Sequence, residues 1–300
     1  MNTSPVSVVI VNWNGREDTL QCLASLKPLS HSLRSVIVVD NGSTESIKEV
    51  LEKSYAWVTC ISLSENLGFA GGNNVGIKKA LEDGAEFVWL LNNDTVVDKH
   101  VLSILDGFRD PNVGACGSKI YFMKGREYHK DRYKEKDLGH VLWYAGGVID
   151  WDNMYAMHRG VDQVDHGQYD SMEETAYITG CSMVIRSEVF KKIGLLDASY
   201  FMYLEDVEYC LRMQKHGFKT MYVPSSKLFH KNAGSTGGSG SKFHEYYQTR
   251  NRLVLGLQYA PVRTKAALLR ESIRFLYKGP EQKRQAVFDA IRGKKGRGYE

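Results

Sequence analysis

Four near-continuous apolar runs rich in β-branched residues, Val6–Val11, Val36–Val39, Val58–Leu63 and Phe87–Leu91, mark the first third of the chain. Runs without polar alternation are characteristic of strands covered on both faces. The segments between them, Arg16–Leu26, Ser46–Lys53 and Gly72–Glu82, carry helical periodicity, and Gly84 is a stop signal. Strand and helix in alternation predict a parallel sheet with helices on both sides. Three of the apolar runs lead into polar tripeptides, Asn12-Trp13-Asn14, Asp40-Asn41-Gly42 and Asn92-Asn93-Asp94. Ligands of open α/β sheets bind beyond the carboxyl ends of the strands, so these three ends predict one shared rim. A single such tripeptide is ordinary turn chemistry; three in succession point to a site.

The pattern then loosens. Lys99–Phe108 reads as a helix, and Lys124–Asp137 is charged and aperiodic, a solvated loop. Leu142–Ala145 and Val148–Trp151 flank Gly146-Gly147 and read as a hairpin. Ser182–Arg186 is a short strand, and Glu205–His216 a helix closed by Gly217. Ser225–Lys242, rich in Ser and Gly, reads as a mobile loop, and its part after His230, Ala233–Ser241, could act as a lid. Helical periodicity returns from about Phe243 and fills most of the remainder.

Charge changes this picture at the C-terminus alone. Residues 261–300 hold eleven Lys/Arg against four Asp/Glu, a net of +7, which leaves −3 for residues 1–260. An acidic body without a recognised binding motif argues against a nucleic-acid partner. Five scattered cysteines with no C-x-x-C pair suggest neither a disulfide framework nor a zinc site, and fit a reducing compartment. Met1–Pro5 lacks a basic region, Val6–Val11 is too short for a signal peptide, and no stretch is long enough to span a bilayer, so a cytoplasmic protein is expected.

Taken together and in order, VSVVIVNWNG from Val6, VVDNGS at Val38–Ser43, NLGFAGGNN at Asn66–Asn74, LLNNDT at Leu90–Thr95 and YLEDVEYCLR at Tyr203–Arg212 resemble the inverting family-2 glycosyltransferases, rhamnosyltransferase-like branch. The resemblance covers about residues 6–255. It implies an α/β GT-A fold, a Rossmann-like, mainly parallel sheet with helices on both faces. Residues 1–242 would form the catalytic domain, with a donor half of about 1–122 and an acceptor half of about 140–242. A helical basic extension, 243–300, would follow.

The resemblance also implies roles. Asn12, Trp13, Asp40, Asn66, Gly68, Asn74 and Asn93 fall on donor-binding positions, with Asp40 placed to accept from a nucleobase imide or a ribose hydroxyl and also able to cap the helix that follows. Glycines 68, 71 and 72 do not form G-x-G-x-x-G, but glycines ahead of a helix allow a nucleotide close approach, with Asn66, Asn73 or Asn74 offering amides. Asn92-Asn93-Asp94 occupies the position of the family's D-x-D motif, with Asn92 in place of the first acid, so Asp94 is its one strong ligand for Mn2+ or Mg2+. His230 resembles the histidine that completes the metal or diphosphate site. Glu205-Asp206 opens a helix; adjacent residues there diverge, so one of them is expected to face substrate, and the family pattern makes Asp206 the general base. Tyr177–Ser182 resembles the acceptor-side segment, where Gly180 permits close approach.

The implied partners are a nucleotide-sugar donor, with a lean toward dTDP-rhamnose, and a saccharide or lipid-linked saccharide acceptor in polysaccharide synthesis. Basic residues of 261–300 interleave with Leu268, Leu269, Ile273, Phe275, Leu276, Tyr277, Phe288 and Ile291, a pattern that suits the anionic inner face of a membrane or packing on the body. A sugar-phosphate nucleotidyltransferase would want a glycine-rich basic phosphate loop after the first strand, and Asn12–Arg16 is a poor one. A nucleotide-sugar sensor without turnover is the alternative that Asn92 encourages and Asp206 opposes, since binding needs no base.

Overall fold

The computed structural model describes residues 5–231 and 240–299. Its first half alternates strands β1 (Val6–Asn12), β2 (Ser35–Asn41), β3 (Val58–Leu63) and β4 (Phe87–Leu91) with helices α1 (Arg16–Leu26), α2 (Lys48–Ser54) and α3 (Gly68–Glu82). These four strands pair in parallel, β1 lying between β2 and β4 and β3 outside β2. Neighbouring side chains of one strand go to opposite faces. Val9, Ile37, Val39, Val88 and Leu90 therefore join Ile77 and Ala80 of α3 in one core. Val8, Ile10, Val36, Val38 and Trp89 join Leu23 and Leu26 of α1 in the other. Full burial of each such aliphatic side chain contributes about 1.5–3 kcal/mol, which is why the apolar runs are continuous.

The second half adds β5 (Thr95–Val97), β6 (Val113–Phe122), β7 (Leu142–Tyr144), β8 (Gly147–Asp150), β9 (Tyr155–His158), β10 (Glu173–Glu174), β11 (Ser182–Arg186) and β12 (Lys219–His230). Helices α4 (Ser187–Ile193) and α5 (Glu205–Lys215) precede β12, and α6 (Lys242–Tyr259), α7 (Val262–Lys278) and α8 (Glu281–Ile291) close the chain. Along the main sheet the order is β10-β12-β6-β11-β4-β1-β2-β3, with β5 and β7 attached to β12 and β6. The junction between halves is antiparallel: β11 lies between β4 and β6. The Trp89 indole N–H donates to Ser182 Oγ across it (3.0 Å).

Several elements differ from the sequence reading, each for a local reason. Helix α3 begins at Gly68, so the glycines lie within it: a Cβ on Gly76 would meet Val9 at 2.3 Å, and one on Gly72 would meet Val11 at 3.0 Å. They bring the helix onto the sheet. Helix α2 starts late because Ser46 Oγ and the Ile47 N–H are already donating to Asp40. The segment expected as a helix at 99–108 is a 3-10 helix, Val101–Arg109, interrupted at Phe108. Leu142–Ala145 and Val148–Trp151 do not form a hairpin with each other. Instead β7 pairs with β6 and β8 with β9, and backbone bonds between Ala145–Gly146 and Arg159 hold the link. Residues 225–230 continue β12 rather than opening a loop, with Ser226 Oγ donating to the Val101 carbonyl (2.7 Å). The remainder of the expected mobile loop falls mostly on 232–239, outside the described residues.

The basic extension is divided in its loyalties. Leu268, Ala286 and Val287 are buried, whereas Val262, Leu269, Ile273, Tyr277, Phe288 and Ile291 are exposed. Helix α6, at the start of that extension, is closely packed: Tyr246, Tyr247, Arg250, Asn251, Leu253 and Leu255 are all buried. Among the described residues no helix is long and apolar enough to cross a membrane.

Candidate active site

A cleft of about 410 Å³ opens at the carboxyl ends of β1, β2 and β4, where Trp13, Asn41 and the Asn92–Asp94 tripeptide line it. Its opposite wall comes from Thr179–Cys181, from Met202–Val207 at the start of α5, and from His230 at the end of β12. This size suits a small-molecule ligand.

The residues expected on the donor side form a hydrogen-bonded lattice. Asn12 Nδ2 donates to Asp40 Oδ1 (3.0 Å) and Ser43 Oγ (3.1 Å). Thr19 Oγ1 donates to Asn12 Oδ1 (2.8 Å) and accepts from Asn93 Nδ2 (3.0 Å). Asp40 Oδ2 accepts from Ser46 Oγ (2.8 Å) and the Ile47 N–H (3.2 Å), which caps the approach to α2. Both Asp40 oxygens thus have partners from the chain itself, and Asn12 and Asp40 sit behind the cleft wall rather than on it. Asn66 lines the cleft; its side-chain Oδ1 accepts from Asn41 Nδ2 (3.0 Å) and the Gly68 N–H (2.8 Å). Gly68 has a φ of +76°, and a Cβ there would fall 2.3 Å from the Phe201 carbonyl oxygen, so glycine is required. Asn74 lies away from the cleft, its carboxamide exchanging two hydrogen bonds with the Leu196 backbone.

Asp94 and His230 meet in one corner, brought together by the pairing of β5 with β12. Asp94 Oδ1 is 3.1 Å from His230 Nε2, and both side chains are largely buried. His230 Nδ1 has no hydrogen-bond partner among the described residues although it is buried, and a buried ring nitrogen left so costs roughly 1–3 kcal/mol. Carboxylate and imidazole suit a hard or borderline divalent cation, and two protein donors are enough for one that draws other ligands from phosphates and water. No group of three His, Cys, Asp or Glu poised for a metal exists among the described residues. The residues therefore fit a cation shared with a diphosphate better than one held by protein alone.

On the other side, Asp206 Oδ2 accepts from the Gly180 N–H (2.8 Å) and Oδ1 from the Val207 N–H (2.8 Å). Gly180 allows this approach; a Cβ there would press on Phe69 at 2.9 Å. Glu205 and Asp206 both line the cleft, not one of them as helical divergence suggests, because the helix begins at Glu205 itself. Burial pushes the Glu205 carboxyl up to about 8, with the neighbouring Asp206 adding to the effect. Burial also raises Asp206, while its backbone donors pull back toward the ionised form. Glu205 Oε2 is buried without a partner among the described residues.

The sequence reading missed an aromatic and imidazole wall. Trp143 lies between His158 and His230, its ring centroid 4.3 and 4.4 Å from theirs. His158 Nδ1 is 3.1 Å from the Trp143 carbonyl oxygen, and burial lowers its pKa to about 4, so the ring is neutral. Tyr128 reaches the cleft from the segment read as a solvated loop, and His244 and Gln248 reach it from α6. Asn41 lay inside the motif already singled out; its buried strand-end position was the available signal.

A curled, mostly parallel sheet with its cleft at the strand ends and helices behind it is the GT-A glycosyltransferase fold. The structure aligns with that of GalNAc-T7 bound to UDP, GalNAc and Mn2+ at a TM-score of 0.66 and 16% identity, covering 98% of this chain and 55% of that one. It also aligns with the mannosyltransferase PcManGT from Pyrobaculum calidifontis in complex with GDP-Man and Mn2+, at 0.56 and 15%, covering 98% and 75%. Residues 4–256 match the family described as glycosyltransferase like family 2, and the chain belongs to it. Relatives include the N-acetylglucosaminyl-diphospho-decaprenol L-rhamnosyltransferase of Mycobacterium tuberculosis, 27% identical with 78% of each chain covered. The low-salt glycan biosynthesis hexosyltransferase Agl10 of Haloferax volcanii is 24% identical, with 83% of this chain and 74% of the relative covered. The dTDP-rhamnosyl transferase RfbF of Shigella flexneri is also 24% identical, with 84% and 80% covered.

Proposed function

We propose that this glycosyltransferase is inverting, that it moves rhamnose from a dTDP donor to an acceptor hydroxyl, and that Asp206 is its general base. The observation that carries the reading is one cleft with Asp206 on one wall and Asp94 on the other, His230 meeting Asp94 in the corner that the walls share. The two rhamnosyl-transferring relatives support the donor.

In this reading Trp13, Asn66, Gly68 and Asn93 border the nucleotide and the Asn12–Asp40 pair keeps that border rigid. Asp94 and His230 would hold Mn2+ or Mg2+, which supplies positive charge against the departing nucleoside diphosphate. Asp206 takes the proton of the acceptor hydroxyl as its oxygen bonds to the anomeric carbon from the face opposite the leaving oxygen. The carbon–oxygen bond to the diphosphate breaks in the same displacement, through an oxocarbenium-like transition state, and the anomeric configuration inverts. Neutral Trp143, His158 and Tyr177 offer the stacking and hydrogen-bonding surface that a saccharide acceptor needs.

A lipid-linked acceptor at the inner membrane face is part of the same reading. Exposed Val262, Leu269, Ile273 and Tyr277 form one stripe along α7, and exposed Arg263, Arg270, Arg274 and Lys278 flank it. Apolar and basic ridges side by side suit an anionic bilayer surface. The deciding experiment incubates the protein with dTDP-rhamnose, Mn2+ and a decaprenyl-diphosphate saccharide. Acceptor-dependent release of dTDP with an inverted rhamnoside supports the proposal. Saturable donor binding with no release would favour the sensor.

A further inference from the structure

Helix α5 is entered through a run of backbone conformations that non-glycine residues avoid. Phe201, Tyr203 and Leu204 have φ of 63°, 70° and 70°. Leu204 is the residue before Glu205, so these three set the direction in which the carboxylate pair leaves the loop. Such strain persists only where surrounding structure over-determines it, and it clusters at functional sites.

What over-determines it here is a pair on α6. Asn251 Nδ2 lies 3.0 Å from the Tyr200 carbonyl oxygen and 2.8 Å from those of Met202 and Tyr203. Arg250 Nη2 donates to the carbonyls of Ser199 (3.1 Å) and Tyr200 (2.7 Å), and Nη1 to that of Gly296 (2.7 Å). Arg250 Nε donates to Asn251 Oδ1 (2.9 Å), which fixes the carboxamide so that its N–H groups face the loop. Both side chains are at least 98% buried. The guanidinium also lies over the Tyr247 ring at 4.8 Å, and Phe201 stacks on that ring at 5.3 Å. On its far side the loop contacts the donor half: the Phe69 N–H donates to the Phe201 carbonyl (2.6 Å).

We propose that Arg250 and Asn251 are positioning residues for the reaction: by gathering the carbonyls of Ser199–Tyr203 they impose the left-handed turn that delivers Asp206 into the cleft beside the donor. The proposal rests on Asp206 as the base. Neither side chain touches the cleft, so both act through the loop. The chemistry is specific. An aspartate at 251 would present acceptors to three acceptors, and a lysine at 250 would lose the planar fork that binds two carbonyls at once.

The test compares Asn251→Asp, Arg250→Lys and Asp206→Asn in the full chain, measuring kcat, donor Kd by titration and thermal unfolding. A displacement of about 1 Å in a reacting group costs on the order of 10²-fold in rate. Both α6 variants are expected to lose about that much kcat while donor Kd stays within about threefold of wild type. Wild-type kcat in either folded variant, beside an inactive Asp206→Asn, overturns the positioning role and leaves the base intact. An active Asp206→Asn overturns the base reading instead. If Asn251→Asp does not fold, Arg250→Lys decides: parallel loss of kcat and donor affinity means a general scaffold and contradicts the proposal.

Discussion

The two walls of the cleft are built on opposite plans. On the proposed donor side the polar side chains satisfy one another: Asn12 with Asp40, Thr19 with Asn93, Asn41 with Asn66. Across from it, His230 Nδ1 and Glu205 Oε2 are buried without partners among the described residues, the backbone before α5 is strained, and both carboxyl groups of the pair are raised by burial. A lattice of satisfied bonds makes a rigid receptor. Unsatisfied, strained groups mark where the chemistry is to happen, because catalytic sites hold groups that folding alone would not choose.

The largest effect expected from breaking this contrast is on the strained side. Asp206→Asn should lower transfer by about 10²–10⁴-fold, measured as sugar incorporated into acceptor, because an amide cannot take the hydroxyl proton. Turnover within a few-fold of wild type would shift the role to Glu205. The acid limb of the pH–rate profile should lie above the ordinary aspartate value, since burial raises Asp206 and the base must be ionised.

Next comes the corner the two walls share. Asp94→Ala should abolish any stimulation by Mn2+ or Mg2+, and His230→Ala should reproduce the loss more mildly. Full metal-stimulated activity in the Asp94 variant would put the cation elsewhere.

Glu205 tests the strain through stability. Its carboxyl is raised from about 4.5 to about 8, so the folded state holds a proton that the unfolded state has released between those values. The stabilisation is complete at the lower end and is lost as pH rises through the upper, with a slope of up to about 1.4 kcal/mol per pH unit. Glu205→Gln should flatten this dependence in denaturant titrations at pH 5, 6.5 and 8. An unchanged slope would mean the carboxyl is not buried as a neutral acid.

The smallest effect lies outside the cleft. Because 261–300 packs partly on the body, point variants are the appropriate probe. Ile273→Glu and Tyr277→Glu should reduce co-sedimentation with anionic vesicles while leaving neutral vesicles unbound. Each added basic contact contributes roughly 1 kcal/mol near an anionic surface, screened by salt. Undiminished binding would remove α7 from the membrane reading.

How much of this was legible follows from the range of the interactions. Strands β1, β2 and β4 were readable because burial on both faces writes itself as near-continuous apolar runs, and α1 and α5 because their periodicity is local. Strand β3 lies at the sheet edge with no residue fully buried, and its β-branched residues alone marked it. The Asp94–His230 pair was readable only through resemblance, since β5 and β12 meet across a long stretch of chain. Trp143 and His158 were missed because neither sits in a motif; β7 and β9 place them together. Asp40 and Asn12 were read as binding residues, and their mutual bond spans 28 residues that no local pattern records. The clamp on the α5 loop spans about 50 residues and was invisible for the same reason.

Donor titration on Asp206→Asn and Asp94→Ala, side by side with wild type in the presence of Mn2+, separates the two walls most directly. The division of labour described here predicts a wild-type donor Kd for the folded Asp206 variant and a clearly weakened one for the Asp94 variant. Equal loss of donor affinity in both would contradict it, for the walls would then share the work of binding.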